Sequence, residues 1–202
     1  MALLLAVALL AACAAGPARQ PQVQGSGEPG FDYPQAAVDD FARALGYMDA
    51  GDGERARELL LGLSRRHPDY AGPYVNLAIL AAGDGDAAAA QDYLQQALAV
   101  CQHCAPAWNQ LGILHRQAGR FDEAEQAYRA ALDSDPGYAY AHYNLGVLYD
   151  LYQQRHALAV EQYEQYIALA GDERSAEEVG KWIADLRRRL GLTARTAQAG
   201  PE

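Results

Sequence analysis

Three cysteines, two tryptophans and three phenylalanines are all that this 202-residue chain holds of those residue types. So few cysteines exclude a small disulfide-stapled scaffold, and an odd number leaves one outside any pair. Basic side chains are scarce too, 16 against 26 acidic ones, for a net charge of −10. A phosphate-backbone binder needs a basic footprint, so nucleic acid is excluded as a partner. A bilayer-spanning helix needs roughly 20 apolar residues. The apolar run Met1–Ala12 is closed too soon by Gly16, Pro17 and Arg19, and no Lys or Arg precedes it. Half of the residues are hydrophobic but only 9% are aromatic. That Ala- and Leu-rich balance favours helices over strands.

Met1–Ala12 (MALLLAVALLAA) has the length of a signal-peptide hydrophobic region. It leads into Leu10-Ala11-Ala12-Cys13, a hydrophobic residue and two small ones before a cysteine. That arrangement resembles the lipobox of bacterial lipoproteins. The resemblance implies cleavage before Cys13 and acylation, as by palmitate, of its sulfur and new amino terminus. Ala14 stands where an aspartate would retain such a protein at the inner membrane, so the resemblance implies outer-membrane sorting. Two or more acyl chains make a stable anchor where one is marginal. Residues 13–36 are rich in Gly, Pro, Gln and Ser without an apolar period, the composition of a flexible linker. Within them Gly25-Ser26-Gly27-Glu28-Pro29-Gly30 spells a dinucleotide fingerprint. No strand precedes it and Pro29 stands where a helix should begin, so the spelling is a coincidence.

A period of 34 residues organises the rest. Its clearest unit, Ala105 to Tyr138, carries Trp108, Leu111-Gly112, Gly119, Ala124, Tyr128, Ala131 and Pro136. One period earlier stand Leu77, Gly85, Ala90 and Ala97; two periods earlier stand Gly51, Ala56 and Pro68. One period later stand Leu145-Gly146 and Tyr149, and a one-residue insertion near Gln153–His156 brings Ala159 and Tyr163 into phase.

These residues resemble the tetratricopeptide repeat. The resemblance implies an all-α, right-handed superhelical solenoid of helix-turn-helix repeats at 37–70, 71–104, 105–138 and 139–173. The first two are degenerate, with Asp40 and Tyr74 in place of Trp and Ala78 in place of Gly; the fourth has His142 for Trp and no closing Pro. No single repeat can bury its own apolar face, so stacking supplies the core. The turns at Gly51, Gly85 and Gly119 suit a residue tolerant of positive φ. The last repeat needs a cover, and 174–191 supplies a capping helix. There Ser175 and Glu178 spell a capping box, and Val179, Trp182, Ile183, Leu186 and Leu190 share a face. Arg187, Arg188 and Arg189 suit the last turn and Gly191 can close it. Residues 192–202 read as a disordered tail.

Nothing in the repeats reads as an enzyme. Ser64, Ser134 and Ser175 lie near helix boundaries rather than in a nucleophile elbow. His67, His103, His115, His142 and His156 are scattered without metal-ligand spacing, and His115 and His142 occupy packing positions. Asp122, Glu123 and Glu125 belong to a solvated helix face. No cofactor, metal or small-molecule substrate is expected. Cys101-Gln102-His103-Cys104, at the junction of the second and third repeats, has several readings. A disulfide fits an oxidising periplasm, and so short a loop contributes about 2 kcal/mol. Free thiols, a redox dithiol and a metal site remain alternatives. Ala105 stands where haem attachment needs His.

In the tetratricopeptide family the first helices of successive repeats line a concave groove that holds a protein or peptide partner. Carried onto this sequence, the groove would show Asn76, Ile79, Asn109, Arg116, Tyr140, Tyr143, Asn144 and Val147. Seven of the 13 tyrosines fall between Tyr138 and Tyr166, and tyrosines are frequent interface anchors. The clamp with which some family members hold a chain-terminal carboxylate is absent: its positions carry Phe41, Leu45, Pro106 and Gln110, and only Asn76 survives. The expectation is a non-enzymatic scaffold, lipid-anchored to the outer membrane's periplasmic face. In architecture it resembles the pilotin and assembly lipoproteins of type IV pili and related secretion systems. An adaptor for a TonB–ExbB-type complex, a part in cell-wall assembly, and a redox module using Cys101 and Cys104 are the alternatives.

Overall fold

The computed structural model describes residues 33–170 and 173–191. The signal, Cys13, most of the linker and the tail at 192–202 lie outside the described residues. The described residues form helices α1 (Gln35–Asp49), α2 (Gly53–Arg66), α3 (Ala71–Gly83), α4 (Ala87–Val100), α5 (Ala105–Gln117), α6 (Phe121–Ser134), α7 (Ala139–Val147), α8 (His156–Leu169) and α9 (Glu173–Arg189). A π-helical turn, Leu148–Tyr152, continues α7. Each odd-numbered helix up to α7 pairs with the helix that follows it, and α9 packs on α8.

The turns explain how a pair forms. Gly51, Gly85 and Gly119 have φ of 78°, 82° and 74°, the left-handed conformation that ends a helix at no side-chain cost. After the first two comes Asp52 or Asp86, whose carboxylate accepts from the backbone N–H of Arg55 (3.3 Å) or Ala89 (2.9 Å) and caps the second helix. The fourth turn differs. Its left-handed residue is Gln154, φ 54°, one residue later than the period requires. The extra residue is absorbed upstream of Gln153–His156, inside the π-helical turn, where Gln153 N–H donates to the carbonyl of Leu148 at 3.0 Å.

Within each repeat one small residue on the first helix faces one large residue on the second. The pairs are Ala44 with Leu60, Ala78 with Leu94, Gly112 with Tyr128 and Gly146 with Tyr163, all buried or half-hidden at the helix crossing. Volume is traded between partners, so Ala78 departs from the repeat pattern together with its partner Leu94. Stacking then buries the apolar faces in successive clusters, with Tyr128, Leu145, Leu148, Ala159 and Tyr163 in the one at the C-terminal end.

α9 covers that end with Val179, Ile183 and Leu186 buried and Trp182 against the rings of Tyr143 (6.1 Å) and Tyr163 (5.7 Å). Two details of the expected cap are corrected. The helix already runs at Glu173, so Ser175 is buried within its first turn instead of capping it. Leu190 lies past the last turn and is exposed; Gly191, φ 67°, closes the helix there. Gly180 sits inside α9 with open space where a Cβ would be. Gly180→Ala is therefore expected to stabilise the protein by about 0.5–1 kcal/mol, because Gly loses more backbone freedom on folding. Thermal melting checks it; an unchanged or lower Tm contradicts the open site.

Glu125 ties the fourth turn to α6. Its side chain, 13% exposed, accepts from Tyr149 Oη (3.0 Å), Gln153 Nε2 (3.1 Å), Arg155 Nη1 (3.1 Å) and Arg129 Nη2 (2.7 Å). Burial alone would raise its pKa, but these donors outweigh burial and hold it below the ordinary value. A depressed folded-state pKa adds stability above the unfolded value, lost as pH falls through the folded one. Glu125→Gln should thus lower stability by about 1–3 kcal/mol at neutral pH. It should cost progressively less below about pH 4.5, as Tm measured across pH would report. A deficit that stayed constant with pH would contradict the assignment.

Candidate functional site

The first helices touch one another from repeat to repeat, α3 with α5 and α5 with α7, while each second helix packs on the opposite flank. The inner face is therefore made by α3, α5 and α7, and every residue expected to line it lies on one of these helices. Their burial divides them. Asn76 and Asn109 are fully buried, and Asn144 and Val147 nearly so. A partner laid on this face does not reach them. Asn144 Nδ2 donates to Asn109 Oδ1 at 3.0 Å, a buried amide pair that joins α5 to α7. Asn76 Nδ2 donates to the Gly72 carbonyl one turn back. Asn109 and Asn144 tie α5 to α7 and Asn76 bonds back within α3, and burial of all three corrects their expected place as surface groove contacts. Asn109 Nδ2, by contrast, is buried without a hydrogen-bond partner among the described residues.

Ile79, Arg116, Tyr140 and Tyr143 are half-buried and present a partial surface. Tyr143 is the most enclosed by aromatics, with Tyr166 at 5.3 Å, Tyr163 at 6.3 Å and Trp182 at 6.1 Å. Burial raises its phenol well above the ordinary tyrosine value. Tyr140 lies between Tyr138 and Tyr166, at 6.0 and 6.5 Å. The tyrosines of the fourth repeat are thus in large part mutual packing, and Tyr143 and Tyr163 rest on Trp182 of α9.

Arg116, in the last turn of α5, is held by phenols. Its Nε donates to Tyr128 Oη at 3.2 Å and its Nη1 to Tyr152 Oη at 3.4 Å, with the guanidinium 5.6 Å from the centre of the Tyr152 ring. Burial pushes the Tyr128 phenol up to about 12, so it stays neutral beside the cation. Sequence reasoning missed Tyr152. It lies in the π-helical turn and leans on Phe121 at 5.0 Å. The signal for it was the extra residue of the fourth repeat, which was placed too far downstream.

At the junction of the second and third repeats Cys101 ends α4 and Cys104 precedes α5, both half-buried. Trp108 Nε1 donates to the carbonyl of Gln102 between them at 2.9 Å and pins the link. Among the described residues no three His, Cys, Asp or Glu side chains converge as a metal site would need. His142 bridges Gln162 Oε1 (2.8 Å) and the Pro136 carbonyl (3.1 Å), while burial lowers the pKa of His115. Among the described residues no helix is long and apolar enough to cross a membrane.

Stacked helix pairs with an inner first-helix face and an apolar end closed by one extra helix define a repeat solenoid of the scaffold class. Sequence profiles of the tetratricopeptide repeat match residues 69–136 and 109–174, together just over half of the chain. The chain belongs to the tetratricopeptide repeat family. Solved structures agree. PilF of Pseudomonas aeruginosa is 25% identical, with a TM-score of 0.68 over 83% of this chain and 78% of its own. PilW, a type IV pilus biogenesis factor, is 21% identical, with a TM-score of 0.65 over 79% and 72%. YrrB, a repeat protein with an unusual peptide-binding site, is 25% identical, with a TM-score of 0.53 over 72% and 75%. Proteins of this family are in general non-catalytic scaffolds that bind peptide or protein partners.

Proposed function

We propose that this chain is a non-enzymatic scaffold, anchored by lipid on Cys13 to the periplasmic face of the outer membrane, that assists assembly of an envelope machine such as a pilus or secretion system. The observation that carries the scaffold reading is the half-buried row of Ile79, Arg116, Tyr140 and Tyr143 on adjacent first helices. A row of this kind suits an extended partner, with aromatic and guanidinium side chains supplying the anchors. The lipobox-like Leu10-Ala11-Ala12-Cys13 supports the anchor. The likeness to PilF and PilW supports a pilus-type machine.

In that oxidising compartment Cys101 and Cys104 close as a short disulfide across the junction already pinned by Trp108. Alkylation of periplasmic material without reductant should then label neither; two labelled thiols would contradict the pairing. The anchor is tested by palmitate labelling with Cys13→Ser as control. Incorporation into the parent and not the variant is expected, and incorporation into neither removes the lipid. Affinity purification from cross-linked envelopes tests the machine. Recovery of pilus or secretion components supports it, and recovery of cell-wall enzymes or a TonB–ExbB-type complex replaces it.

A further inference from the structure

Arg116 stands apart from the other arginines of the described residues. Arg43, Arg55, Arg57, Arg66, Arg129, Arg155, Arg187, Arg188 and Arg189 each pair with a carboxylate. Arg65, Arg120 and Arg174 are exposed. Arg116 is half-buried, yet its hydrogen-bond partners are two neutral phenols and no carboxylate pairs with it among the described residues. Removing a guanidinium from water without a counter-charge is costly. The position at the C-terminal end of α5 offsets part of that cost through the helix dipole. It does not explain why two tyrosines are arranged to orient the group.

The geometry leaves a binding fork. An arginine has five N–H donors. Tyr128 takes the Nε proton and Tyr152 one Nη1 proton, which leaves the remaining Nη protons for a bidentate acceptor. A planar pair of oxygens on a carboxylate matches that fork. Tyr152 accepts from the arginine through oxygen and can also donate its O–H toward an anion beside it, while the fully buried Tyr128 orients the guanidinium from below. Tyr152, 42% exposed, forms the open edge of the site. The face continues on both sides of Arg116, toward Ile79 on α3 and toward Tyr140 and Tyr143 on α7. A chain crossing it therefore has residues both before and after the arginine.

We propose that Arg116, oriented by Tyr128 and Tyr152, is the anchor for an acidic side chain, Asp or Glu, within an extended partner peptide laid across the first-helix face. This site differs from the chain-terminus clamp, whose positions here hold Phe41, Leu45, Pro106 and Gln110. The proposal rests on the scaffold reading and sharpens the chemistry of its partner.

The test titrates the full chain in detergent with three small probes, followed by NMR at the Arg116 Nε–Hε and Tyr152 signals. The probes are N-acetyl-glutamate methylamide, its glutamine counterpart and N-acetyl-alanine with a free carboxyl terminus. The glutamate probe should give a saturable shift at both signals, at least about tenfold tighter than the glutamine probe, since a charge-assisted pair replaces a neutral one. The alanine acid should be weaker than glutamate, and added salt should weaken the glutamate response. Arg116→Gln should lose the preference for glutamate over glutamine at the Tyr152 signal. The comparison of probes on the parent chain stands even if that variant is unstable. Equal response to glutamate and glutamine, or a preserved preference in a folded Arg116→Gln variant, would overturn the site. A stronger response to the alanine acid would overturn the side-chain assignment. None of these failures removes the scaffold reading, since a partner held by Tyr140 and Tyr143 would still be captured from envelopes.

Discussion

Gly112→Ala and Gly146→Ala are each expected to lower stability by about 2–3 kcal/mol, a large effect for one methyl group. A Cβ on Gly112 would lie 2.5 Å from Tyr128 Cε1, and one on Gly146 would lie 2.6 Å from Tyr163 Cδ1. Neither ring can move aside. Tyr128 and Tyr163 are fully buried, and the first is also held through its hydroxyl by Arg116 and the second by Trp182. The first two repeats show the remedy. They carry Ala44 against Leu60 and Ala78 against Leu94 at the same crossing. Combining Gly112→Ala with Tyr128→Leu should therefore recover at least about 1 kcal/mol relative to the sum of the single changes. Urea denaturation of the four proteins in the cycle reads this directly. Additive losses would mean that the glycine is not matched to the ring.

Val179→Asp should cost about 3–5 kcal/mol and promote association. Val179 is fully buried, with Ile183 and Leu186 in the same seam and Trp182 against Tyr143 and Tyr163. A carboxylate there either ionises without a partner or forces α9 away from α8. Peeling α9 uncovers Val160, Tyr163 and Tyr166, the apolar end that a solenoid must cover to stay monodisperse. Ala184→Asp, on the exposed side of the same helix, is the control and should change little. Denaturation and light scattering separate the two variants; equal behaviour would mean that α9 is not a cap.

The fold was legible in the chain because its information is periodic. Gly51, Gly85 and Gly119 recur at the same interval and mark the three regular turns, and Gly112 with Tyr128 announces the helix crossing. The departures were legible only in part. The extra residue of the fourth repeat was counted but placed in the loop, because a loop insertion disturbs no hydrogen bonds while a π-helical turn must rebuild them. Ser175 reads as a cap in isolation, yet α9 begins before it. The inner face was the least legible part. The period puts Asn76, Asn109 and Asn144 on first helices, but it does not state how far each helix is rotated against its neighbours. That rotation buries the amides and leaves Arg116 and Tyr152 at the surface. Tyr152 escaped because its position depends on the π-helical turn.

The account's central claim is that partners are held on the face made by α3, α5 and α7. Its most direct test replaces single residues by the photo-crosslinker p-benzoyl-phenylalanine in native cells. Ile79 and Tyr140 probe the inner face, and Gln126 on α6 and Glu161 on α8, both exposed, probe the second helices. The account predicts discrete cross-linked adducts from positions 79 and 140 and none from 126 and 161. Adducts from the second helices with none from the first would contradict it.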